Sequence, residues 1–470
     1  MQYQTDLAII GAGTAGMSAY KAARKAGLQP LLIENGPLGT TCARVGCMPS
    51  KLLIAAADAA HQLQQAPELG IHPGTIQVDG TAVMQRLRKE RDRFVQGVVR
   101  EVEGWPDNSL LQGSVQFVSP NRLKTDRGDQ IEARTILLAT GTRPNIPSQL
   151  LNAGDRLLTN EQVFELPTLP RSLAVFGAGV IGLELGQAMQ RLGVEVSLFA
   201  RTRQLGPLQD PALQASALAT FEETLDLQLG SEVKTISRTP AGVTISYLNA
   251  NGQPQTKTFD YLLAATGRQS NLDRVQLEAA NLLLDRRGLP VSNPLTAQCT
   301  NLDGSPSHIF IAGDAAGYRP LLHEANDEGH LAGRNAALWP KVESRPRRTP
   351  LTLVFTDPQM AIAGNSYNQL LNQPGKQQIV IGEADFSNQG RARVMQVNKG
   401  RLSVYADNNS GILLGAEMLG PAAEHLGHLL AWSIQQQLTL EQLLQQPFYH
   451  PTLEEGLRTA LRSAAARIRQ

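Results

Sequence analysis

Twice in this chain an apolar run ends in Gly-x-Gly-x-x-Gly and leads straight into a helical stretch, and no other feature restricts the fold so tightly. The first copy, DLAIIGAGTAG, sets Gly11, Gly13 and Gly16 after Leu7–Ile10 and before MSAYKAARKAG. Glycines so placed permit a tight turn, close approach of backbone to a pyrophosphate, and close helix–strand packing. A second apolar strand, PLLIE, ends at Glu34, 23 residues beyond Gly11, where a carboxylate can accept hydrogen bonds from a ribose 2′-hydroxyl. The second copy, SLAVFGAGVIGLELG, carries Gly177, Gly179 and Gly182, then a helix to Gly193 and the strand EVSLFA. The same count from Gly177 lands on Ala200, with Arg201 and Arg203 just behind. A missing carboxylate and two arginines suit a 2′-phosphate, so this site leans to NADP(H) over NAD(H). As solvated loop residues the arginines carry no such meaning.

Two dinucleotide sites in one chain imply two redox carriers: the first suits the AMP half of FAD, the second a nicotinamide cofactor, NAD(P)H. Two further strands, TILLATGTRP and YLLAATGRQS, end in Ala-Thr-Gly and read as crossing points between nested domains, with Thr140, Gly141 and Gly267 at the turns. HIFIAGDAAG sets Asp314 at the end of another buried strand, where a carboxylate can hold a ribityl hydroxyl. Singly, each is a strand and a glycine turn; their joint occurrence carries the argument.

The chain owns three cysteines, and two of them, Cys42 and Cys47, stand five positions apart in GTTCARVGCMPSK. With no basic leader and no run of transmembrane length, the chain reads as cytosolic, where a close cysteine pair points to catalysis or a metal. Zinc needs about four ligands, and no second Cys/His cluster supplies them, so no metal is expected. The pair can bridge if the first helical turn is distorted. A net charge of +1 gives no basic face for nucleic acid and no acidic tail.

Together the FAD fingerprint, CxxxxC with Pro-Ser-Lys, the second GxGxxG, the Gly-Asp motif and a C-terminal His-Pro-Thr resemble the class I FAD-dependent pyridine nucleotide–disulfide oxidoreductases, nearest dihydrolipoamide dehydrogenase. The resemblance spans essentially the whole chain. It implies a Cys42–Cys47 redox disulfide, with Cys47 against the flavin as charge-transfer thiol and Cys42 as interchange thiol. Thr41 and Lys51 are implied at the cofactor, Lys51 pairing with Glu184. Electrons then pass between a nicotinamide, FAD, the cysteine pair and a small dithiol or disulfide, lipoyl in type. Two positions depart from the family pattern: Thr40 stands for a usual glycine and Arg44 for a usual asparagine. Both flank the cysteines, where they bear on redox potential and substrate approach.

FYHPTLEEGL holds His450 with Glu455 five residues on. A histidine titrates near neutrality and a carboxylate can fix its tautomer. By resemblance this pair is the acid–base catalyst, reaching the disulfide of a second copy in a homodimer. The expected fold is α/β: two nested Rossmann-like domains and a C-terminal α+β dimerisation domain. The segments are 1–147 (FAD), 148–265 (NAD(P)), 266–345 (FAD/central) and 346–470 (interface). Pro67 to Pro120 reads as an insertion bearing one charged helix, and His61 as exposed. Cys299 reads as a packing residue. Ala200, Arg201 and Arg203 pull instead towards an NADPH-dependent reductase of the glutathione reductase type. A flavin-bound redox sensor without turnover is a third reading; the acid–base pair argues against it.

Overall fold

The computed structural model describes residues 1–372 and 378–468. The chain divides into two units, one of 1–52, 85–145 and 268–347, the other of 53–84, 146–267 and 348–470.

The first unit is built on a parallel sheet. Pro306–Ile311, Gln130–Leu138, Gln2–Ile10, Pro30–Glu34 and Leu110–Gln112 lie side by side in that order, all parallel. Side chains alternate along the central strand: Leu7 and Ile9 enter one core, Ala8 and Ile10 the other, so both faces are covered. One cover is a helix pair, Thr14–Lys25 and Leu322–Leu338. They approach so closely that a Cβ at Gly329 or Gly333 would fall on the carbonyl oxygen of Ala15 or Ala19.

The stretch Pro67 to Pro120, expected as an insertion, is in part woven into the first unit's sheet. Its helix forms, over Gly80–Glu103. Leu110–Gln112, however, pairs in parallel with Pro30–Glu34, and Val115–Ser119 forms a hairpin with Arg122–Thr125 that joins Gln130–Leu138. These strands are too short for their periodicity to declare them.

The second unit holds another parallel sheet, ordered Asp226–Leu229, Glu195–Ala200, Ser172–Phe176, Tyr261–Ala264, Leu157–Leu158. Phe199 stacks on Phe176 at 5.1 Å and meets Tyr247 and Phe259 edge-on, closing the core beneath the antiparallel strands that follow. Its C-terminal part is a five-stranded antiparallel sheet, Leu351–Val354, Gln359–Gly364, Leu413–Gly420, Arg401–Asp407 and Ile379–Asp385, backed by Ala423–Gln435 and Glu454–Ala465. The fold is thus α/β with two dinucleotide-type sheets and a C-terminal α+β module.

His61, expected on an exposed face, is half-buried. Burial, then the charge of Arg191, hold its pKa below the usual histidine range. Arg191, itself 7 % exposed, bonds Asp58 at 2.8 Å and Asp357 at 2.7 Å. Among the described residues, no helix is long and apolar enough to cross a membrane.

Candidate active site

In the first unit the glycine turn is built for two different purposes. Gly11 has φ +111°, and a Cβ on it would strike the carbonyl of Ala139; one on Gly16 would strike the carbonyl of Gly11. These two glycines are required by the protein's own packing. Gly13 is not: a Cβ there meets no atom within 4 Å, and it begins the Thr14–Lys25 helix with no capping side chain and no acid in the first turn. Open space at an uncapped helix N-terminus fits a pyrophosphate. Glu34 closes the turn, accepting from the backbone N–H groups of Ala12 and Gly36, each at 2.7 Å. Nearby, Thr142 donates to Asp314 at 3.0 Å, and the buried Oγ1 of Thr140 finds no protein partner. An orphaned hydroxyl, an open cradle and two carboxylates fit FAD.

The cysteines follow. Thr41–Val45 is one short helix and Cys47–Gln65 a second, with Gly46 breaking them apart at φ −126°, ψ −115°. A Cβ at Gly46 would stand 3.0 Å from the Thr41 carbonyl oxygen and 3.2 Å from the Cys42 Cα, so this break keeps Cys47 folded back over Cys42. Cys42 is half-buried and Cys47 exposed. A hydrogen bond with Cys47, then burial and the Cys47 charge, push the Cys42 thiol well above the ordinary range; the backbone N–H groups of Cys47 and Met48 oppose this. Lys51 lies one turn on, donating to Ser50 Oγ at 3.4 Å.

Thr40 explains its own oddity. It sits at φ +59°, ψ 152°, a conformation that favours glycine, and accepts from Ala43 N at 3.3 Å through its hydroxyl. A β-branched residue held there costs on the order of 1–3 kcal/mol. Beside it, Cys42 opens on a cavity of about 310 Å³. Three helix faces line it at i, i+4 spacing: Thr14, Ser18 and Met17, Lys21 on one, Phe94 and Val98 on another, Leu322 and Asn326 on the third. The sequence reading missed this cavity, because its faces are adjacent in space and far apart in the chain.

The second unit repeats the glycine geometry. Gly177, at φ +116°, would strike Ala265, and Gly182 would strike Gly177, while Gly179 faces open space at the uncapped start of Val180–Arg191. Ala200 ends its strand where Glu34 ends the first, and Arg201 and Arg203 lie exposed beyond it; Gly267 takes φ +101°. Glu184 is 4 % exposed and accepts from Phe355 N at 2.9 Å. His450 Nδ1 lies 2.9 Å from Glu455 Oε2, with the imidazole 81 % exposed. Partial burial works against the Glu455 charge, but hydrogen bonds from His450 and Thr452 N hold its carboxyl below the usual range. Arg458 donates to the other oxygen, Oε1, at 2.8 Å. That residue too was missed, though the i, i+3 spacing of Glu455 and Arg458 signals it. Cys299 is buried in the first unit's core, as a packing residue should be. No group of three or more His, Cys, Asp or Glu among the described residues could hold a metal ion.

Residues 5–329 match the pyridine nucleotide-disulphide oxidoreductase family, and residues 351–461 match the dimerisation domain of the same family. The chain belongs to that family. It is 32 % identical over 466 residues to dihydrolipoyl dehydrogenase of Bacillus subtilis, covering 97 % of this chain and 98 % of that one. It is also 30 % identical over 479 residues to mercuric reductase of Shigella flexneri, covering 99 % and 81 %. Its fold resembles that of LpdA from Mycobacterium tuberculosis (TM-score 0.82, 24 % identity, 98 % and 99 % covered). It likewise resembles the HOCl-induced flavoprotein disulfide reductase RclA from Escherichia coli in complex with Cu(II) (TM-score 0.82, 22 % identity, 98 % and 99 % covered). As a pyridine nucleotide-disulphide oxidoreductase similar to dihydrolipoyl dehydrogenases, the protein is a flavoprotein that binds FAD and a pyridine nucleotide and forms a homodimer.

For this oxidoreductase the glycines make a sharp prediction. Gly16→Ala or Gly182→Ala costs on the order of 3 kcal/mol in thermal or denaturant unfolding, because the new Cβ meets backbone. Gly13→Ala leaves the stability of the ligand-free protein within about 1 kcal/mol and lowers the FAD content of the purified protein. Equal destabilisation by both kinds of substitution would remove the distinction between packing and ligand glycines.

Proposed function

We propose that this oxidoreductase passes electrons between NADP(H) and a small dithiol or disulfide of the lipoyl type, through Cys42 and Cys47. The carrying observation is the cavity: it opens on Cys42 and is lined largely by apolar groups, Met17, Met48, Phe94, Val98 and Leu322, with Lys21 held by Glu101 at 3.0 Å. A short aliphatic disulfide suits such a lining. Likeness to dihydrolipoyl dehydrogenases supports the same substrate class.

FAD, held by the Gly11–Gly16 turn, Glu34 and Asp314, supplies the two-electron relay between nicotinamide and cysteine pair. In the reducing direction the Cys42 thiolate attacks one sulfur of the substrate. The substrate S–S bond breaks as the mixed disulfide forms, and the leaving sulfur takes a proton from His450. Cys47, as thiolate, then attacks Cys42, closing the Cys42–Cys47 bond and releasing the second substrate sulfur, which also takes up a proton. Of the two protons on the dithiol, one comes from the Cys42 thiol by way of His450 and the other from solvent. A Cys42 thiol held above its usual range needs a base, and His450 of a second copy is that base. Its Nδ1 is bound to Glu455, which leaves Nε2 to exchange the proton. A cytoplasmic location belongs to this reading.

Ala200, Arg201 and Arg203 favour a second reading, an NADPH-dependent disulfide reductase. Anaerobic mixing of the FAD-loaded protein with NADPH, NADH and dihydrolipoamide separates them. Fast reduction by dihydrolipoamide supports the lipoyl substrate; fast reduction by NADPH alone supports the reductase. Arg201→Ala/Arg203→Ala raises the KM for NADPH at least about tenfold and leaves that for NADH unchanged. A wild-type protein that already prefers NADH would sink the assignment of the arginines.

A further inference from the structure

The His450 imidazole is 81 % exposed and, among the described residues, is held by its bond to Glu455 Oε2. Its orientation is therefore only as good as that of the carboxylate. Glu455 sits in the first turn of Glu454–Ala465, and a glutamate at such a place can otherwise swing into solvent. Thr452 N gives Oε2 a long bond of 3.4 Å, and Arg458 takes the other oxygen at 2.8 Å from one turn further along the helix. The same guanidinium lies 5.6 Å above the ring centroid of Phe448, two residues before His450, and Phe448 packs against the core of the C-terminal sheet. One side chain thus grips both sides of the histidine: the carboxylate that orients it and the aromatic that roots the segment leading into it.

We propose that Arg458 is a positioning residue for the acid–base step, holding Glu455 in the rotamer that orients His450. This rests on the reading of His450 given above. Lysine keeps the charge but not the planar fork, so it restores part of the grip; methionine keeps the stem over Phe448 and removes the charge.

The test uses FAD-loaded dimers of wild type, Arg458→Met, Arg458→Lys, Glu455→Gln, the Glu455→Gln/Arg458→Met double variant and His450→Gln. Each is assayed with lipoamide and the preferred nicotinamide, and separately with ferricyanide, which accepts electrons without a thiol–disulfide step. Arg458→Met is expected to lower kcat for lipoamide about 10-fold, with KM and the ferricyanide rate unchanged. Arg458→Lys recovers most of the loss, and Arg458→Met adds nothing on the Glu455→Gln background. The proposal is overturned if Arg458→Met stays within twofold of wild type while His450→Gln collapses the lipoamide rate. It is also overturned if the ferricyanide rate falls in step, which marks a merely structural role. If His450→Gln itself leaves lipoamide turnover intact, the reading of His450 is what has failed, and the role of Arg458 falls with it.

Discussion

Replacing Cys42 with serine removes disulfide reduction, by on the order of 10⁴-fold or more, while oxidation of the nicotinamide by ferricyanide continues. A serine hydroxyl does not ionise near neutral pH and cannot form the sulfur–sulfur bond on which transfer depends. The thiol it replaces is half-buried, opens on the cavity and lies against Cys47. Cys47→Ser should differ in kind: Cys42 can still attack, but the only thiol left to act on the mixed disulfide is the substrate's own, which reverses the step. Mass spectrometry of Cys47→Ser after exposure to lipoamide with an alkylating agent, which caps that freed thiol, is expected to find substrate attached to Cys42. Turnover that survives Cys42→Ser would move the chemistry elsewhere and end the proposed mechanism.

The second large effect belongs to the histidine. His450→Gln keeps a hydrogen-bonding side chain of similar reach but cannot carry a proton, and loss of a general acid–base group costs about 10²–10⁴-fold. Steady-state kcat with lipoamide is the measurement, and a loss below about fivefold would show that solvent moves the proton unaided. Glu455→Gln should cost less, because the imidazole remains and only its orientation and charge balance are disturbed.

Much of this was legible in the chain because it is written at fixed, short spacing. Three glycines in six residues, an acid or its absence at the next strand end, and a histidine five residues before a glutamate all lie within one or two elements. The two parallel sheets and the C-terminal α+β module follow from those strands and helices. The cavity was not legible, since its faces come from Thr14–Lys25, Gly80–Glu103 and Leu322–Leu338 and no local pattern ties them. Nor were the strands Leu110–Gln112 and Val115–Ser119, whose partners are set by the sheet and not by their own few residues. His61 was misread for the same reason: an alanine-rich helix shows no face until Arg191 is packed against it. Thr40 lies between these cases. Its departure from a usual glycine was visible, but only its φ of +59° shows what that glycine is for.

The duplicated glycine turn also bears on how such a protein can decay. Gly11 and Gly16, like Gly177 and Gly182, answer to the carbonyl groups beside them, whereas Gly13 and Gly179 answer to nothing inside the protein. A descendant that abandoned one of its nucleotides would still be held by foldability to the outer glycines of that turn. Only the middle one would be released to drift. In a gene copy that has lost a cofactor, the outer pair is therefore a record of ancestry, and the middle position tells whether the site is still in use.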